Sequence, residues 1–140
     1  MARARPCVLV IDDEEKYAKL IARILERAYD VLPLPSAQEA LDRITAGERF
    51  DLILCDVMLP GLSGKDFVER LGLLAPGQVQ RVVLMTGGAF TPWSEAFVAR
   101  SGLPRLDKPF GIAELLHLVR QQLEQHGTAS LASGESEVKV

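Results

Sequence analysis

The sequence is short of several things, and each shortage excludes something. It has only two cysteines in 140 residues, Cys7 and Cys55, and both sit inside apolar runs. That reads as a pair of buried thiols in a reducing compartment rather than a disulfide framework. No apolar run approaches the ~20 residues that a bilayer-spanning helix needs. The apolar stretch near the N-terminus stops at Asp12, too soon for a secretory signal. A cytoplasmic location without direct membrane contact is therefore expected. Positive charge is not in surplus either: the net charge is −3, so no basic field is available to hold nucleic acid directly. Arg3 and Arg5 form a small basic start that reads as a solvated end. What is present is ordinary for a globular chain, 48% hydrophobic and 25% charged. The length suits one domain with a core of its own.

Three short, nearly continuous apolar runs stand out: Cys7–Ile11, Leu52–Cys55 and Arg81–Met85. Strands buried on both faces by helices read this way. Two weaker candidates, 29–34 and 104–106, belong at sheet edges, the first because Pro33 removes a ladder donor. Helical spacing fills the intervals. Tyr17, Leu20, Ile21, Ile24, Leu25 and Ala28 mark a first helix. Ala37, Ala40, Leu41 and Ile44 mark a second, with Ser36 and Glu39 as a capping box and Gly47 as its stop. A third starts at Ser63 or Gly64, carries Phe67, Val68 and Leu71, and ends at Ala75-Pro76-Gly77. Thr91-Pro92 opens a fourth, with Trp93, Ala96 and Phe97 on one face. The fifth runs from Ile112 to Gln125 with a stripe of Ile112, Leu115, Leu116, Val119 and Leu123. Strict alternation of strand and helix predicts an α/β fold, a parallel five-stranded sheet between two helical layers. Weak edges around three buried strands suit the flavodoxin-like (βα)5 order 2-1-3-4-5. Residues 127–140 are rich in Gly, Ser, Ala and Glu without periodicity, and read as a flexible C-terminal tail behind a domain over 6–126.

The polar residues fall in one place on that plan. Asp12 and Asp13 follow the first strand, Asp56 the third, Thr86 the fourth and Lys108 the fifth. All of these converge on the carboxyl edge of the sheet, where doubly wound folds bind ligands. Clustered carboxylates repel one another unless a cation or proton is present. Donors that are all oxygen suit Mg²⁺, which keeps several waters and shares phosphate oxygens.

Four pieces in order carry a resemblance: Val10-Ile11-Asp12-Asp13-Glu14, the segment from Leu54 through Asp56-Val57-Met58-Leu59-Pro60-Gly61 to Gly64, Leu84-Met85-Thr86-Gly87, and Asp107-Lys108-Pro109-Phe110. Together they resemble the receiver domain of two-component response regulators over about residues 6–126. The resemblance implies that Asp56 accepts a phosphoryl group from the phosphohistidine of a histidine kinase or histidine phosphotransfer protein. It implies Asp12, Asp13, Asp56 and the Met58 carbonyl as Mg²⁺ ligands, and Thr86 and Lys108 as the groups that contact the phosphoryl oxygens. It also implies a cis Lys108-Pro109 bond. The signalling face would be the fourth helix, fifth strand and fifth helix, through which a homodimer could form. The chain would be a phosphoacceptor rather than an enzyme with an external substrate, beyond catalysing its own phosphorylation and dephosphorylation.

The match departs from the family at Arg105, where receivers usually carry a switch aromatic. A guanidinium cannot enter an apolar pocket without a partner, so Arg105 is expected to stay outside, pairing with an acid such as Glu95 or Asp107. The stretch 85–92 is closer to receivers at the C-terminal ends of hybrid sensor kinases than to those of transcription factors. Trp93 and Phe97 are open between core and partner face, and Glu14 between a group near the metal and a first-turn acid favouring the helix dipole. Asp51 reads as a strand-start residue, and His117 and His126 as solvated. Other classes remain in view. An aspartate-nucleophile hydrolase would carry a second acid two residues after the nucleophile, where this chain has Met58. A partner-binding pseudo-receiver would have lost an acid or the lysine, and none is lost. A flavin site would need a Ser/Thr-rich loop after the first strand.

Overall fold

The computed structural model describes residues 5–87 and 91–127. Five strands alternate with five helices: β1 Cys7–Ile11, α1 Glu15–Leu25, β2 Asp30–Leu34, α2 Ala37–Thr45, β3 Leu52–Asp56, α3 Gly64–Leu74, β4 Val82–Thr86, α4 Pro92–Ser101, β5 Arg105–Asp107 and α5 Ile112–His126. The strands form one parallel sheet in the order β2-β1-β3-β4-β5, as expected, with the Pro33 strand at one edge. Arg3, positions 88–90 of the stretch 85–92 and the tail beyond Gly127 lie outside the described residues.

Alternation along the central strands feeds two cores. Leu9, Ile11, Ile53, Cys55 and Leu84 pack with Ala40, Ile44, Phe67, Leu71 and Phe97 of α2, α3 and α4. Val8, Val10, Leu52, Leu54, Val83 and Met85 pack with Ile21, Leu25, Leu115 and Val119 of α1 and α5. Every residue of β3 and β4 is buried, which is why those runs carry almost no polar side chain before their last position. Each buried aliphatic side chain contributes roughly 2 kcal/mol of transfer free energy, so register is strongly specified.

Helix starts follow local chemistry. Ser63 and Asp66 satisfy each other's backbone N–H groups at the head of α3, and Thr91 and Ser94 do the same for α4. The box expected at Ser36 is half formed. Its hydroxyl oxygen accepts the Glu39 N–H, while the Glu39 carboxylate takes the Ser36 hydroxyl instead of a backbone N–H. Several expectations need correction. Helix α1 ends at Leu25, leaving Ala28 exposed in a turn, and Leu20 is exposed while Ala18 is buried. Ile112 at the first position of α5 is exposed, while Leu115 one turn on is fully buried. On α4 the inward positions are Ser94, Phe97 and Val98, so Trp93 and Ala96 face outward. A 3₁₀ turn at Pro76–Arg81 follows α3, anchored by the Gln78 side chain, which pairs in both directions with the Phe50 backbone. Arg5 is no solvated end. Its guanidinium donates to the carbonyls of Glu26 and Tyr29 and ties the chain to the turn before β2. Neither cysteine is in a disulfide, and Cys55 is fully buried while Cys7 is only partly so. Asp51 accepts the Cys7 N–H at the opposite end of the sheet from the carboxylate cluster, as a strand-start residue would.

Candidate functional site

The sheet's carboxyl edge gathers the polar residues. One carboxylate oxygen each from Asp12, Asp13 and Asp56 falls in a group within 4.8 Å. Asp12 and Asp56 are buried at the ends of adjacent strands, while Asp13 is exposed. Both buried acids divide their oxygens. Oδ1 of Asp12 accepts the Glu14 N–H at 2.9 Å, and Oδ1 of Asp56 accepts the Met58 N–H at 3.1 Å. Their Oδ2 atoms both face Lys108, whose Nζ lies 2.7 Å from Asp12 and 3.1 Å from Asp56. With Oδ1 on the Glu14 N–H, Asp12 braces the turn that leads into α1. The cap residue is Glu14, without a side-chain cap bond. Its exposed carboxylate sits 3.5 Å from Lys108, so Glu14 belongs to the charge cluster as well as to the helix start.

Burial pushes the Asp56 carboxyl above its ordinary range, and the Lys108 charge and hydrogen bond only partly pull it back. Burial alone would lower the Lys108 ammonium, but the Asp12 and Asp56 carboxylates outweigh it and hold Lys108 above the usual lysine value. Lys108 is thus a fixed cation between two acids.

Several groups aim that cation. The Lys108-Pro109 peptide is cis, as the resemblance implied. The Lys108 N–H donates to the Thr86 carbonyl at 2.7 Å. The Tyr17 ring lies beneath Nζ, 4.4 Å from ring centroid to nitrogen, and Phe110 meets Tyr17 edge-on at 5.5 Å. In the sequence, Tyr17 shows only as a stripe residue and Phe110 only as part of a motif. Gly64 lets α3 approach the end of β3: a Cβ there would stand 2.7 Å from the Asp56 carbonyl and 2.8 Å from the Val57 Cα.

Thr86, at the end of β4, is buried, and its hydroxyl donates to Oδ1 of Asp107 across the β4–β5 pair. Arg105 donates to the same oxygen through Nε at 3.0 Å and Nη2 at 2.9 Å. Arg105 therefore stays outside and pairs with Asp107, one of the two acids expected. Phe97 is core and Trp93 is exposed, so those two do not form one patch. His117 is exposed. His126 is partly buried, and its carbonyl accepts from Arg81.

A cavity of about 300 Å³ opens beside the acids, lined by Asp12, Asp13, Lys19, Pro33, Leu34 and Pro35 among others. It leaves Asp13 accessible from one side. The three clustered donors are all carboxylate oxygens, the chemistry of a hard divalent cation. The residues therefore fit Mg²⁺.

Comparison with known proteins agrees with this fold. The family model for the response regulator receiver domain matches residues 8–120. The transcriptional regulatory protein YkoG of Bacillus subtilis (strain 168) is 35% identical over 122 residues, which cover 86% of this chain and 52% of that protein. Sporulation initiation phosphotransferase F, also of Bacillus subtilis (strain 168), is 26% identical over 83% of this chain and 92% of its own length. A CheY-like response regulator receiver domain protein from Methanospirillum hungatei JF-1 superposes with a TM-score of 0.78 at 26% identity, over 88% of this chain and 97% of that one. The chain thus spans about half the length of the regulatory protein it matches at 35%. Among the described residues no helix is long and apolar enough to cross a membrane.

Proposed function

The chain belongs to the response regulator receiver domain family, and from that premise we propose that Asp56 is its phosphoacceptor. The observation that carries this assignment is the Lys108 ammonium held between the buried Asp12 and Asp56 carboxylates at the ends of adjacent strands. A carboxylate attacking phosphorus brings negative charge to negative charge, so the site must supply positive charge in a fixed place.

The transfer balances simply. An Asp56 oxygen forms a bond to phosphorus as the bond from phosphorus to the donor's histidine nitrogen breaks, and the imidazole leaves with that electron pair. The product is an acyl phosphate on the chain. Lys108 holds its charge toward the incoming phosphoryl oxygens, and the Thr86 hydroxyl supplies a hydrogen bond to them. Asp12, Asp13, Asp56 and the Met58 carbonyl would hold Mg²⁺, which when bound offsets charge on the transferring group. Met58 places no second acid beside Asp56, which argues against an aspartate-nucleophile hydrolase. The chain's chemistry is then confined to its own phosphorylation and dephosphorylation.

Receiver domains interact with histidine kinases or phosphotransfer proteins, and such a protein is the donor assigned here, acting in the cytoplasm on a domain over 6–126. The α4-β5-α5 face, with Arg105 and Trp93 exposed on it, is assigned to partner or self-association. The test is chemical trapping. The protein is incubated with acetyl phosphate and Mg²⁺, then reduced with borohydride, which converts an aspartyl phosphate to homoserine. Peptide mapping should find homoserine at position 56. Its appearance at another acid, or its absence from all of them, contradicts the assignment.

A further inference from the structure

A threonine hydroxyl has one proton to donate, and in this structure Thr86 gives it to Asp107. Strand order makes that choice consequential. Thr86 ends β4, which lies between β3, carrying Asp56, and β5, carrying Asp107. A hydroxyl bonded to Asp107 is turned toward β5, the side of β4 opposite the phosphoacceptor. The acceptor is ionised, which makes the bond stronger than one to a neutral oxygen. It is also oriented: Arg105 grips the same Oδ1 with two nitrogens. The Thr86 hydroxyl draws the Asp107 carboxyl below its ordinary range, with Arg105 adding to the effect, so the carboxylate stays charged at neutral pH.

We propose that Asp107 is a positioning residue for the phosphoryl switch, holding the Thr86 hydroxyl toward β5 so that a phosphoryl group on Asp56 must compete for it. The proposal rests on the receiver reading of Asp56 and adds a residue to it. Asp107 sets how readily Thr86 reaches the phosphoryl oxygens, and Arg105 sets the geometry of the restraint from the exposed end of β5. The work of moving Thr86 is then done against a surface ion pair rather than against a buried aromatic, which this chain does not carry at position 105. The coupling between phosphorylation and the α4-β5-α5 face runs through Asp107 and Arg105, both largely open to solvent and to a docked partner.

The restraint predicts a definite pattern of energetic coupling. Beryllofluoride with Mg²⁺, a phosphoryl mimic, is titrated into the wild-type chain, Asp107→Ala, Asp107→Asn, Thr86→Val and the Thr86→Val/Asp107→Ala double variant. Loss of a hydrogen bond to a charged acceptor should tighten binding by about tenfold in Asp107→Ala. Asp107→Asn, which keeps an acceptor but loses the charge, should fall between. In the Thr86→Val background, Asp107→Ala should have no further effect. Equal affinity in wild type and Asp107→Ala overturns the proposal. So does a gain that persists without the Thr86 hydroxyl, because Asp107 would then act on the site through its charge alone. A second readout needs no phosphoryl chemistry. Three-bond NMR couplings should show one Thr86 χ1 rotamer in the wild type and rotamer averaging in Asp107→Ala, whereas a single unchanged rotamer in both overturns the restraint. If the wild type binds no beryllofluoride, the receiver reading of Asp56 fails, and the rotamer comparison still decides the role of Asp107.

Discussion

The Nζ of Lys108 stands 3.1 Å from Oδ2 of Asp56, with both side chains almost wholly buried. Fifty-two residues separate them in the chain, and only the crossing of β3 and β5 into one sheet brings them together. Removing one member of a buried ion pair strands the other charge. Lys108→Met should therefore lower unfolding free energy by about 3 kcal/mol at pH 7, because Asp12 and Asp56 are left facing each other. Millimolar Mg²⁺ should return part of that loss. Urea titration with and without Mg²⁺ measures both effects, and an undiminished stability in the variant would show that Lys108 offsets little of the acids' charge.

Asp13 is the exposed member of the acid group, so its loss should cost the fold nothing. Asp13→Ala should leave the metal-free protein as stable as wild type or up to about 1 kcal/mol more so, by relieving carboxylate repulsion. Mg²⁺ affinity, followed by calorimetry, should fall by at least tenfold. Unchanged Mg²⁺ affinity would remove Asp13 from the ligand set.

Asp56 carries a pH signature. Burial raises its carboxyl in the folded chain, so the charged form is the one that folding disfavours. This group therefore favours folding most below its unfolded pKa, and that contribution is lost as pH rises through the raised folded value. At neutral pH the charge is a burden. Asp56→Asn should be more stable than wild type at pH 7 in EDTA, and the difference should shrink as pH falls toward about 4. A difference that grows on acidification would contradict the burial argument.

How much of this was legible beforehand depends on the range of the interaction. The apolar runs of β1, β3 and β4 announced themselves because strands buried on both faces tolerate few polar residues. Asp12, Asp56, Thr86 and Lys108 stood out because each breaks such a run where the strand ends or lies just beyond that end. Tyr17 beneath Lys108 was not legible, since a ring on a helical stripe reads the same whether it meets aliphatic core or an ammonium. The exposure of Leu20 and Ile112 was not legible either. A periodic stripe fixes a helix face but not how much of it the neighbouring layer covers: Leu20 is exposed between buried Ala18 and Ile21, and Ile112 is exposed at the first position of its helix. Glu14 was open between a group near the metal and a first-turn acid, and its carboxylate 3.5 Å from Lys108 could not be read from sequence because it depends on where β5 ends in space.

Gly64 offers a test of packing beside the site. An added methyl group would meet backbone atoms of residues 56 and 57, which cannot rotate away. Gly64→Ala should cost about 2–3 kcal/mol and slow phosphorylation by acetyl phosphate, because the end of β3 that carries Asp56 must shift. Wild-type stability and rate in the variant would mean that α3 retreats at no cost.

The identity of the phosphoacceptor is open to direct measurement. Intact-mass measurement after incubation with acetyl phosphate should show one phosphoryl adduct on the wild-type chain with Mg²⁺, none when EDTA replaces Mg²⁺, and none on Asp56→Asn under either condition. An adduct that persists in Asp56→Asn, or a wild-type chain that stays unmodified with Mg²⁺ present, would contradict it.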